Sequence, residues 1–507
     1  MKVSPIASVI TASSVGTMIE WYDFYIFGML AKTISVQFFP EGNSTAALLS
    51  TLAIFAAGFI VRPFGALVFG RLGDLIGRKY TFLLTLVIMG GSTFLIGLVP
   101  GYKSIGIAAP LLVLVLRLLQ GLALGGEYGG AATYVAEHAP AEKRGFYTSW
   151  IQTTATLGLF FALAIIMLVK LNMDDASFNS EWGGWRYPFW ISILLVGISI
   201  YIRLRMSESP LFAQLKAEGK TSTNPLRESF RRKSNFKMVL LALFGAVMGQ
   251  GVIWYTGQFY AQSFLENTCK VEFEQSRTIM LWAIAFATPF FLFFGWLSDK
   301  VGRKWIMMAG MLLGIVTYRP IFNEFLKDTA PQEWQRISSA NMAALNKKTE
   351  PVANSNDSVL IHSARFTLRD GRAFTVTGTD TLYSGTSISQ SVGSVTVTDK
   401  HLSNALFWKF VGLVFLLILY VTMVYGPIAA FLVELFPTKI RYSSMSLPYH
   451  IGNGVFGGLV PFIGLLLTTT YTADPLVGLW YPIGIAALSL FIGTVYLNNR
   501  IDKDVTD

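Results

Sequence analysis

Apolar stretches about as long as a bilayer is thick alternate with short polar segments along most of this chain. A helix that crosses a membrane needs about 20 predominantly apolar residues. Twelve such stretches occur, with borders good to about two to four residues. They cover approximately 12–34, 47–69, 80–99, 105–127, 145–170, 186–206, 237–264, 278–297, 305–325, 405–427, 443–470 and 477–498. The pattern predicts an all-α membrane protein with twelve transmembrane helices.

The composition supports lipid as the solvent. Of the 507 residues, 53% are hydrophobic and only 14% are charged, whereas soluble domains carry about 25% charged residues. The single cysteine, Cys269, excludes an intrachain disulfide framework and a cysteine-based metal cluster. The four histidines are scattered. We therefore expect no metal and no cofactor.

The net charge of +10 is explained by where the basic residues lie. If the N-terminus is cytoplasmic, the short outer loops carry only Lys103, Lys270 and Arg277. The inner loops carry Arg71, Arg78, Lys79, Lys143, Arg144, Lys300, Arg303, Lys304, Lys439, Arg441 and the run Arg231-Arg232-Lys233. This positive-inside asymmetry predicts a multi-pass protein of the inner (plasma) membrane with both termini in the cytoplasm. It also explains the charge without nucleic acid, and the first helix is expected to serve as the insertion signal.

Two short patterns occur twice. Gly-x-x-x-Asp-x-x-Gly-Arg-Lys begins at Gly70 and again at Gly295, and Glu-x-x-Pro-x-x-x-Arg begins at Glu137 and again at Glu434. A duplicated six-helix unit is the build expected of a transporter with two rocking halves. We predict an N-terminal half over 1–206, a cytoplasmic central loop over 207–236 and a C-terminal half over 237–507.

The repeat also locates an insertion. The two patterns begin 67 residues apart in the first half but 139 apart in the second, a difference of 72 residues. The polar segment 326–403, between helices 9 and 10, accounts for it. Within this segment Asp370-Gly371 separates two alternating runs, which predicts a β hairpin. We expect a small extracytoplasmic β module that acts as a lid or a docking surface, or is a tolerated loop decoration.

The repeated loops resemble the signature loop of the major facilitator superfamily, and further segments resemble its metabolite:proton symporter branch. These segments are Glu20-Trp21-Tyr22-Asp23-Phe24, Arg62-Pro63-Phe64-Gly65, Arg117-Leu-Leu-Gln120-Gly121, Gly125-Gly126-Glu127-Tyr128-Gly129, Gly184-Trp185-Arg186-Tyr187-Pro188-Phe189 and Glu208-Ser209-Pro210. The likeness is densest from Gly16 to Phe212 and thinner in the second half. It implies proton-coupled transport of a solute such as α-ketoglutarate, proline, betaine or shikimate.

Ionisable residues inside the predicted helices mark a proton-coupling site. Asp23 and Arg117 fall near the middle of helices 1 and 4, which the resemblance places together around a central cavity. An ion pair keeps Asp23 charged, whereas withdrawal of Arg117 leaves a desolvated carboxylate that takes up a proton. Glu20, one turn before Asp23, is positioned to share the proton or to pair with Arg62. The alternative is a static ion pair that pins the two helices.

Arg62 and a stripe on helix 7 are the candidate substrate-binding residues. The planar fork of Arg62 suits a substrate carboxylate, although an arginine near a helix end also reaches the interface by snorkelling. Gln250, Trp254, Tyr255 and Gln258 recur at helical spacing. Aromatic walls with a few amide groups suit a pocket for a small solute, and an interfacial belt or simple packing explains the stripe as well.

The repeated loops supply a predicted cytoplasmic gate. Its members are Gly70, Asp74, Arg78, Glu127, Arg144, Glu208, Asp299, Arg303 and Arg441. We expect Asp74 and Asp299 to begin helices 3 and 9 and to cap their free N–H groups. The remaining charged groups are expected to form ion pairs that hold the outward-open state, and they also set the topology.

These features together predict a proton-coupled importer of a small organic acid that works as a monomer in the lipid bilayer. A symporter of a zwitterion such as proline or betaine, an uncoupled facilitator and a solute-sensing receptor are the alternatives. Neither a nucleophile–base pair nor a Gly-x-x-x-x-Gly-Lys-Ser/Thr loop occurs in the sequence. We therefore expect neither an enzyme nor an ATP-driven pump of that type.

Overall fold

The computed structural model describes most of the chain. The described residues are 5–40, 42–76, 78–126, 131–132, 135–136, 139–205, 233–330, 334, 341–342, 346–351, 358–382, 396–436 and 441–499. The chain divides into two compact units. One comprises Met1–Phe259, Ile284–Tyr318 and Leu416–Asp507, and the other comprises Tyr260–Ala283 and Arg319–Phe415.

The first half of the chain is helical. Its α-helices are α1 (Pro5–Met29), α2 (Ala31–Phe38), α3 (Ser44–Ile60), α4 (Arg62–Ile76), α5 (Arg78–Ile96), α6 (Tyr102–Ile105), α7 (Ala108–Gly125), α8 (Arg144–Leu171), α9 (Asp175–Asn179) and α10 (Tyr187–Arg205). Short 3-10 turns, Ala141–Lys143 and Gly184–Arg186, lead into α8 and α10. The side chain of Asn43 caps α3 by accepting a hydrogen bond from the Ala46 N–H at 2.9 Å.

The second half is also mostly helical. Its α-helices are α11 (Lys233–Ala242), α12 (Met248–Tyr255), α13 (Ala261–Ser263), α14 (Phe273–Val301), α15 (Arg303–Asp328), α16 (Asn404–Tyr425), α17 (Ile428–Leu435), α18 (Arg441–His450), α19 (Val460–Thr470) and α20 (Trp480–Tyr496). Four π-helical segments interrupt them: Leu243–Val247, Thr256–Tyr260, Phe264–Thr268 and Ile451–Gly457. Such segments are rare and are frequent at functional sites.

Ten helical stretches among the described residues are long and apolar enough to cross a membrane. They are Ser44–Phe69, Ala108–Gly125, Ala141–Leu171, Gly184–Ile202, Lys233–Thr268, Phe273–Val301, Arg303–Asp328, Asn404–Leu435, Ser444–Thr470 and Val477–Tyr496. Each coincides with a stretch predicted from the hydrophobic pattern, within a few residues at most borders. The largest discrepancy is at the C-terminal border of Asn404–Leu435, because the helical stretch continues past the break at Gly426 and Pro427 into Ile428–Leu435.

Glycines bring α7 into direct contact with its neighbours. A Cβ atom at Gly121 would fall on the carbonyl oxygen of Gly58, and one at Gly125 would fall on the carbonyl oxygen of Arg62. Only a residue without a side chain allows the backbones to approach this closely. The first turn of α4, with Arg62, is thereby fixed against α7.

The smaller unit contains the antiparallel sheet. Its strands are β1 (Asn341–Met342), β2 (Asn346–Pro351), β3 (Ser358–Thr367), β4 (Ala373–Leu382) and β5 (Thr396–His401). The strand order is β1-β3-β4-β5, and β2 also pairs with β3. Thr367 pairs with Ala373 across the turn that contains Asp370 and Gly371, where Gly371 has a φ of 85°. The predicted hairpin is therefore confirmed.

Lys400 anchors β5 within this unit. The side chain is 3% exposed, and its ammonium group donates to the carbonyl oxygens of Cys269 at 3.1 Å and Thr329 at 2.5 Å. These residues follow the last turns of Phe264–Thr268 and α15, where carbonyl groups lack helical partners. One cation therefore satisfies the ends of two helices, and it holds the last strand of the sheet against them.

Candidate functional site

Arg62, the first residue of α4, lies in an aromatic cage. Its side chain is completely buried, and the guanidinium carbon lies 4.0 Å from the ring centre of Phe59, 4.4 Å from that of Phe24 and 5.2 Å from that of Trp21. Within the described part of the chain, no hydrogen bond or ion pair reaches its guanidinium nitrogens. The predicted alternative of snorkelling to the interface does not describe this buried position.

Four tyrosines lie within electrostatic range of Arg62: Tyr25, Tyr255, Tyr425 and Tyr449. The hydroxyl groups of Tyr425 and Tyr449 are 2.7 Å apart and share a hydrogen bond. Tyr255 interacts with Arg62 electrostatically but does not reach hydrogen-bond geometry. One buried cation therefore lies near several tyrosine hydroxyl groups.

Arg117, in the middle of α7, is a second buried cation. One of its nitrogens donates to the side chain of Gln120 at 2.8 Å and to the carbonyl oxygen of Phe24 at 3.1 Å. The amide of Gln120 in turn donates to the Thr93 hydroxyl at 2.6 Å. These bonds fix the guanidinium group, and its other nitrogens have no hydrogen-bond partner among the described residues. Its carbon lies 3.9 Å from the ring centre of Phe24.

The predicted Asp23–Arg117 ion pair is not formed in this conformation. Asp23 on α1 is completely buried, yet neither carboxylate oxygen has a hydrogen-bond partner in the described part of the structure. Its polar neighbour is Ser192 on α10, outside hydrogen-bond geometry. The hydrogen bond from the Tyr22 hydroxyl to the carbonyl oxygen of Pro188, at 2.7 Å, joins the same two segments. The rotation of α1 directs the Asp23 side chain toward α10. Arg117 instead donates to the carbonyl oxygen of Phe24, the residue that follows Asp23.

The predicted stripe on helix 7 divides into two groups. Trp254 stacks on Tyr25 at 5.3 Å, and the Tyr255 ring meets Phe59 edge-on at 5.0 Å, so both join the cage around Arg62. The other two members contact other helices. Gln258 donates weakly to Thr156 at 3.4 Å, and Gln250 accepts from Asn453 at 2.9 Å. Glu20 is completely buried on α1, one turn before Asp23.

Several hydrogen-bond donors around the cage have no partner among the described residues. They include guanidinium nitrogens of Arg62 and Arg117, the indole nitrogen of Trp254 and the amide nitrogen of Gln250. Both cations are completely buried, and a buried charge is costly unless a countercharge meets it. An acceptor-rich anion satisfies this arrangement. No group of three or more His, Cys, Asp or Glu side chains that could hold a metal ion occurs among the described residues.

Sequence reasoning missed several polar residues near Arg62. Tyr25 lies two residues after Asp23, and Tyr425, Tyr449 and His450 lie on α16 and α18. His450 is 1% exposed and within electrostatic range of Arg62. A polar aromatic residue in an apolar helix was the available signal, but twenty tyrosines occur in the chain. Their periodicity does not distinguish a cage from an interfacial belt.

A second cluster joins the two sequence halves where the repeated loops lie. Arg303 donates to Asp299 at 2.7 Å and to Glu434 at 2.9 Å, and Arg144 reaches Glu434 at 3.4 Å. The side chains of Arg303, Asp299 and Glu434 are 2%, 6% and 4% exposed, so solvent screens these pairs little. We call Arg144, Asp299, Arg303 and Glu434 the loop-side ion cluster. Glu434 was not among the predicted gate residues, although it begins the second copy of a repeated pattern.

The predicted capping role of Asp299 is wrong in one respect. Asp299 lies in the last turn of α14 and does not begin the next helix. Its two oxygens instead accept hydrogen bonds from the backbone N–H groups of Gly145 and Phe146, both at 2.8 Å. The carboxylate thus caps α8, in the other sequence half. Asp74 likewise lies within a helix, α4, and does not begin helix 3.

The side-chain contacts of the other predicted gate residues lie outside the described part of the structure. Glu127 and Glu208 lie outside the described residues. The backbones of Gly70, Asp74, Arg78 and Arg441 lie in α4, α5 and α18. The side chains of Asp74, Arg78 and Arg441 are outside the described part of the structure. Only Arg144, Asp299 and Arg303 of the predicted gate are thus placed, and all three belong to the loop-side ion cluster.

Comparison with known proteins agrees with this architecture. Residues 9–240 match the sugar (and other) transporter family. The inner membrane metabolite transport protein YhjE of Escherichia coli K12 is 32% identical over 468 residues, which cover 91% of this chain and 88% of that protein. The alpha-ketoglutarate permease of the same organism is 35% identical over 323 residues, which cover 64% of this chain and 72% of that protein.

A solved structure shows the same fold. The xylose transporter XylE from E. coli, in a partially occluded inward open conformation, superimposes with a TM-score of 0.64 at 15% identity, covering 98% of each chain. The curated relatives are transporters rather than enzymes, and the spans described above are those of a membrane protein. The chain is therefore a multi-pass membrane transporter that belongs to the sugar (and other) transporter family of the major facilitator superfamily.

Proposed function

We propose that this protein is a proton-coupled secondary transporter that imports a small organic acid by alternating access. One observation carries the proposal: Arg62 is completely buried in an aromatic cage without a carboxylate partner among the described residues. An intramembrane arginine is costly, and such residues generally face a substrate or ion pathway. A carboxylate that forms two parallel hydrogen bonds with the guanidinium group supplies the missing countercharge.

Asp23 is the proposed proton carrier. Its carboxyl group is completely buried and, in this conformation, has no basic partner among the described residues. A carboxylate in such a place is more stable when protonated, because burial penalises the charged form. We propose that Asp23 binds the co-transported proton before the occluded state forms, with Glu20 one turn away as a second acceptor. Pairing with Arg117 would then belong to another stage of the cycle.

Alternating access requires the loop-side ion cluster to break. The cluster joins α8 of the first sequence half to α14, α15 and α17 of the second. We propose that it is the cytoplasmic gate, closed in this conformation, and that Gly70, Asp74, Arg78, Glu127, Glu208 and Arg441 act with it. Each opening then costs the free energy of several charge-assisted hydrogen bonds.

The proposed topology has twelve helices. The helices α1, with 25 residues, and α5, with 19 residues, are long enough to add to the ten apolar spans. The halves are 1–206 and 237–507, joined by the cytoplasmic loop 207–236. Both termini lie in the cytoplasm, the sheet within 326–403 is extracytoplasmic, and the protein works as a monomer in the inner membrane.

An α-ketoglutarate-like acid is the proposed solute, because the site offers buried guanidinium groups and because one relative is named an alpha-ketoglutarate permease. A zwitterionic osmolyte would need free aromatic faces for its cationic group. Here the faces of Phe24 and Phe59 are covered by Arg62. The cage therefore favours an anion over betaine or proline.

The proposal is tested by uptake into proteoliposomes that contain the purified protein. Labelled α-ketoglutarate, proline, betaine and shikimate are supplied with and without an inward proton gradient. We expect α-ketoglutarate to accumulate only with the gradient, Asp23→Asn to exchange without accumulation, and Arg62→Ala to lose uptake. Accumulation of betaine instead, or uptake by wild type that only equilibrates under the gradient, would overturn it.

A further inference from the structure

Arg117 is the buried cation that the coupling scheme leaves without a function in this conformation. We propose that Arg117 is a second substrate-binding residue, so that the transported solute is a dicarboxylate held by Arg62 at one end and by Arg117 at the other. This inference rests on the proposed function and specifies its substrate class. It adds solute recognition to the proton-coupling role that the sequence predicts for Arg117.

The two guanidinium groups lie around the same aromatic ring. The carbons of Arg62 and Arg117 are 4.4 Å and 3.9 Å from the ring centre of Phe24, so their separation cannot exceed the sum of these distances. Tyr255 is within electrostatic range of both. Two like charges at this spacing repel each other in a medium of low dielectric constant. A ligand with two negative charges removes the repulsion, and a monoanion leaves one cation uncompensated.

Arg117 is held in an orientation that leaves donors available. One nitrogen is occupied by Gln120 and by the Phe24 carbonyl oxygen, whereas Nε and Nη2 have no hydrogen-bond partner among the described residues. Gly58 packs against the same residue, since a Cβ there would lie 3.2 Å from the carbonyl oxygen of Arg117 and 3.4 Å from its Nε. A fixed guanidinium with an unused edge is preorganised to accept a carboxylate.

The surroundings suit the carbon chain between two carboxylates. The ring centres of Phe27 and Phe55 lie 4.7 Å and 5.1 Å from the Arg117 carbon, and Phe55 also contacts Phe59 beside Arg62 at 4.9 Å. Aromatic groups therefore line the space around both cations. Such walls accept methylene groups and reject a third charge, which favours a short, unbranched dicarboxylate.

The test is equilibrium binding to the purified full-length protein, without a membrane or a proton gradient. Binding is followed by intrinsic tryptophan fluorescence, because Trp21 and Trp254 both lie at the cage. Glutarate is compared with glutaramate, which replaces one carboxylate by an amide of nearly the same size. Loss of a hydrogen bond to a charged group corresponds to about 10- to 100-fold in affinity, so we expect glutarate to bind at least about tenfold more tightly.

The arginine variants assign the preference to a residue. Arg117→Gln should bind glutarate and glutaramate equally, Arg117→Lys should recover part of the preference, and Arg62→Gln should weaken both. Arg365→Gln, which removes an exposed arginine on β3, is the matched control and should keep the wild-type ratio. The ratio of two affinities on one variant is insensitive to partial misfolding.

The outcomes separate this inference from the proposed function. Equal binding of glutarate and glutaramate by the wild type overturns the dicarboxylate assignment. An unchanged ratio in Arg117→Gln overturns the assignment of the second carboxylate to Arg117. Either outcome leaves an organic-acid transporter. If neither compound binds and α-ketoglutarate is not taken up, the proposed function itself is wrong. The wild-type comparison needs no substitution, so a variant that fails to fold does not block the test.

Discussion

The carboxylate of Asp299 allows a quantitative test of the loop-side ion cluster. It accepts three hydrogen bonds, from the Gly145 and Phe146 N–H groups at 2.8 Å and from Arg303 at 2.7 Å. Asp299→Asn keeps the shape of the side chain and removes its charge. The asparagine oxygen can retain one backbone N–H group, but its NH2 group then faces another donor. The closed arrangement should lose stability relative to any state in which the cluster is apart.

The size of the effect follows from these contacts. Replacing a charge-assisted hydrogen bond by an unfavourable contact costs about 1.5–3 kcal/mol. Loss of a negative charge at the N-terminus of α8 adds about 0.3–1 kcal/mol. A total of about 2–4 kcal/mol raises the population of the open state by about 30-fold or more.

Thiol labelling measures that population. Ser149 on α8 is completely buried, and its side chain lies against Gly295 of α14. Ser149→Cys is made with Cys269→Ala, so that the introduced thiol is the only one in the chain. Labelling by a maleimide then requires the two helices to separate, and its rate follows the open population when closing is fast. We expect Asp299→Asn to increase the rate by about 30-fold.

Glu274→Gln provides the matched control, because it removes the same charge from the first turn of the same helix, α14. Its labelling rate should stay within about twofold of the parent, since Glu274 lies at the other end of α14 and is not part of the loop-side ion cluster. The reasoning is refuted if Asp299→Asn leaves the rate unchanged. It is also refuted if Glu274→Gln increases the rate equally.

Three further predictions concern stability. Gly125→Ala should lower the free energy of unfolding by about 1–3 kcal/mol in a denaturation series, because the added Cβ meets a backbone carbonyl oxygen; Gly197→Ala, with no atom within 4 Å of the added Cβ, should not. Glu266→Gln should cost about 3–5 kcal/mol in the same assay, because it leaves Arg277, 1% exposed, without its carboxylate at 3.1 Å, and an unchanged midpoint would contradict this. Burial lowers the pKa of Lys400 from 10.5 to about 8. Between these pH values the unfolded chain therefore binds more protons than the folded chain. The melting temperature should rise with pH from about 8 to 10.5. This rise should vanish in Lys400→Met, and a flat wild-type profile would refute it.

The sequence predicts the helices well because lipid imposes one requirement along their whole length. A run such as Ala141–Leu171 has to be apolar and long, and both properties are visible without a structure. The count of residues between repeated patterns predicts an insertion over 326–403, and the structure has a small sheet within this range. The Asp370-Gly371 hairpin followed from turn chemistry that acts over a few residues.

The site was predicted less completely because its geometry depends on helix rotation. Arg62, Trp254 and Tyr255 were identified and lie together, but Tyr425 and Tyr449 come from segments distant in sequence. A rotation of a few tens of degrees decides whether Asp23 faces Arg117 or Ser192, and hydropathy does not measure it. The π-helical segments of the second half shift the rotation of the helices that contain them, and no sequence signal revealed them.

The prediction of which helix Asp299 caps was wrong for a related reason. A carboxylate near a helix boundary predicts a cap on the adjacent helix, because local hydrogen bonds are the ones that sequence makes visible. In the structure α14 continues past Asp299, and the N–H groups that it satisfies belong to residues about 150 positions earlier. Contacts between the two sequence halves are not encoded in local patterns.

The most direct test of the central claim is whether protons enter with the solute. Proteoliposomes in weakly buffered medium, with no gradient imposed, receive α-ketoglutarate while a dye reports the external pH. The account predicts prompt alkalinisation of the medium with the wild type, none with Asp23→Asn, and none when betaine is added. Entry of labelled α-ketoglutarate without any change in external pH would contradict proton coupling and leave the buried carboxylate with a structural role only.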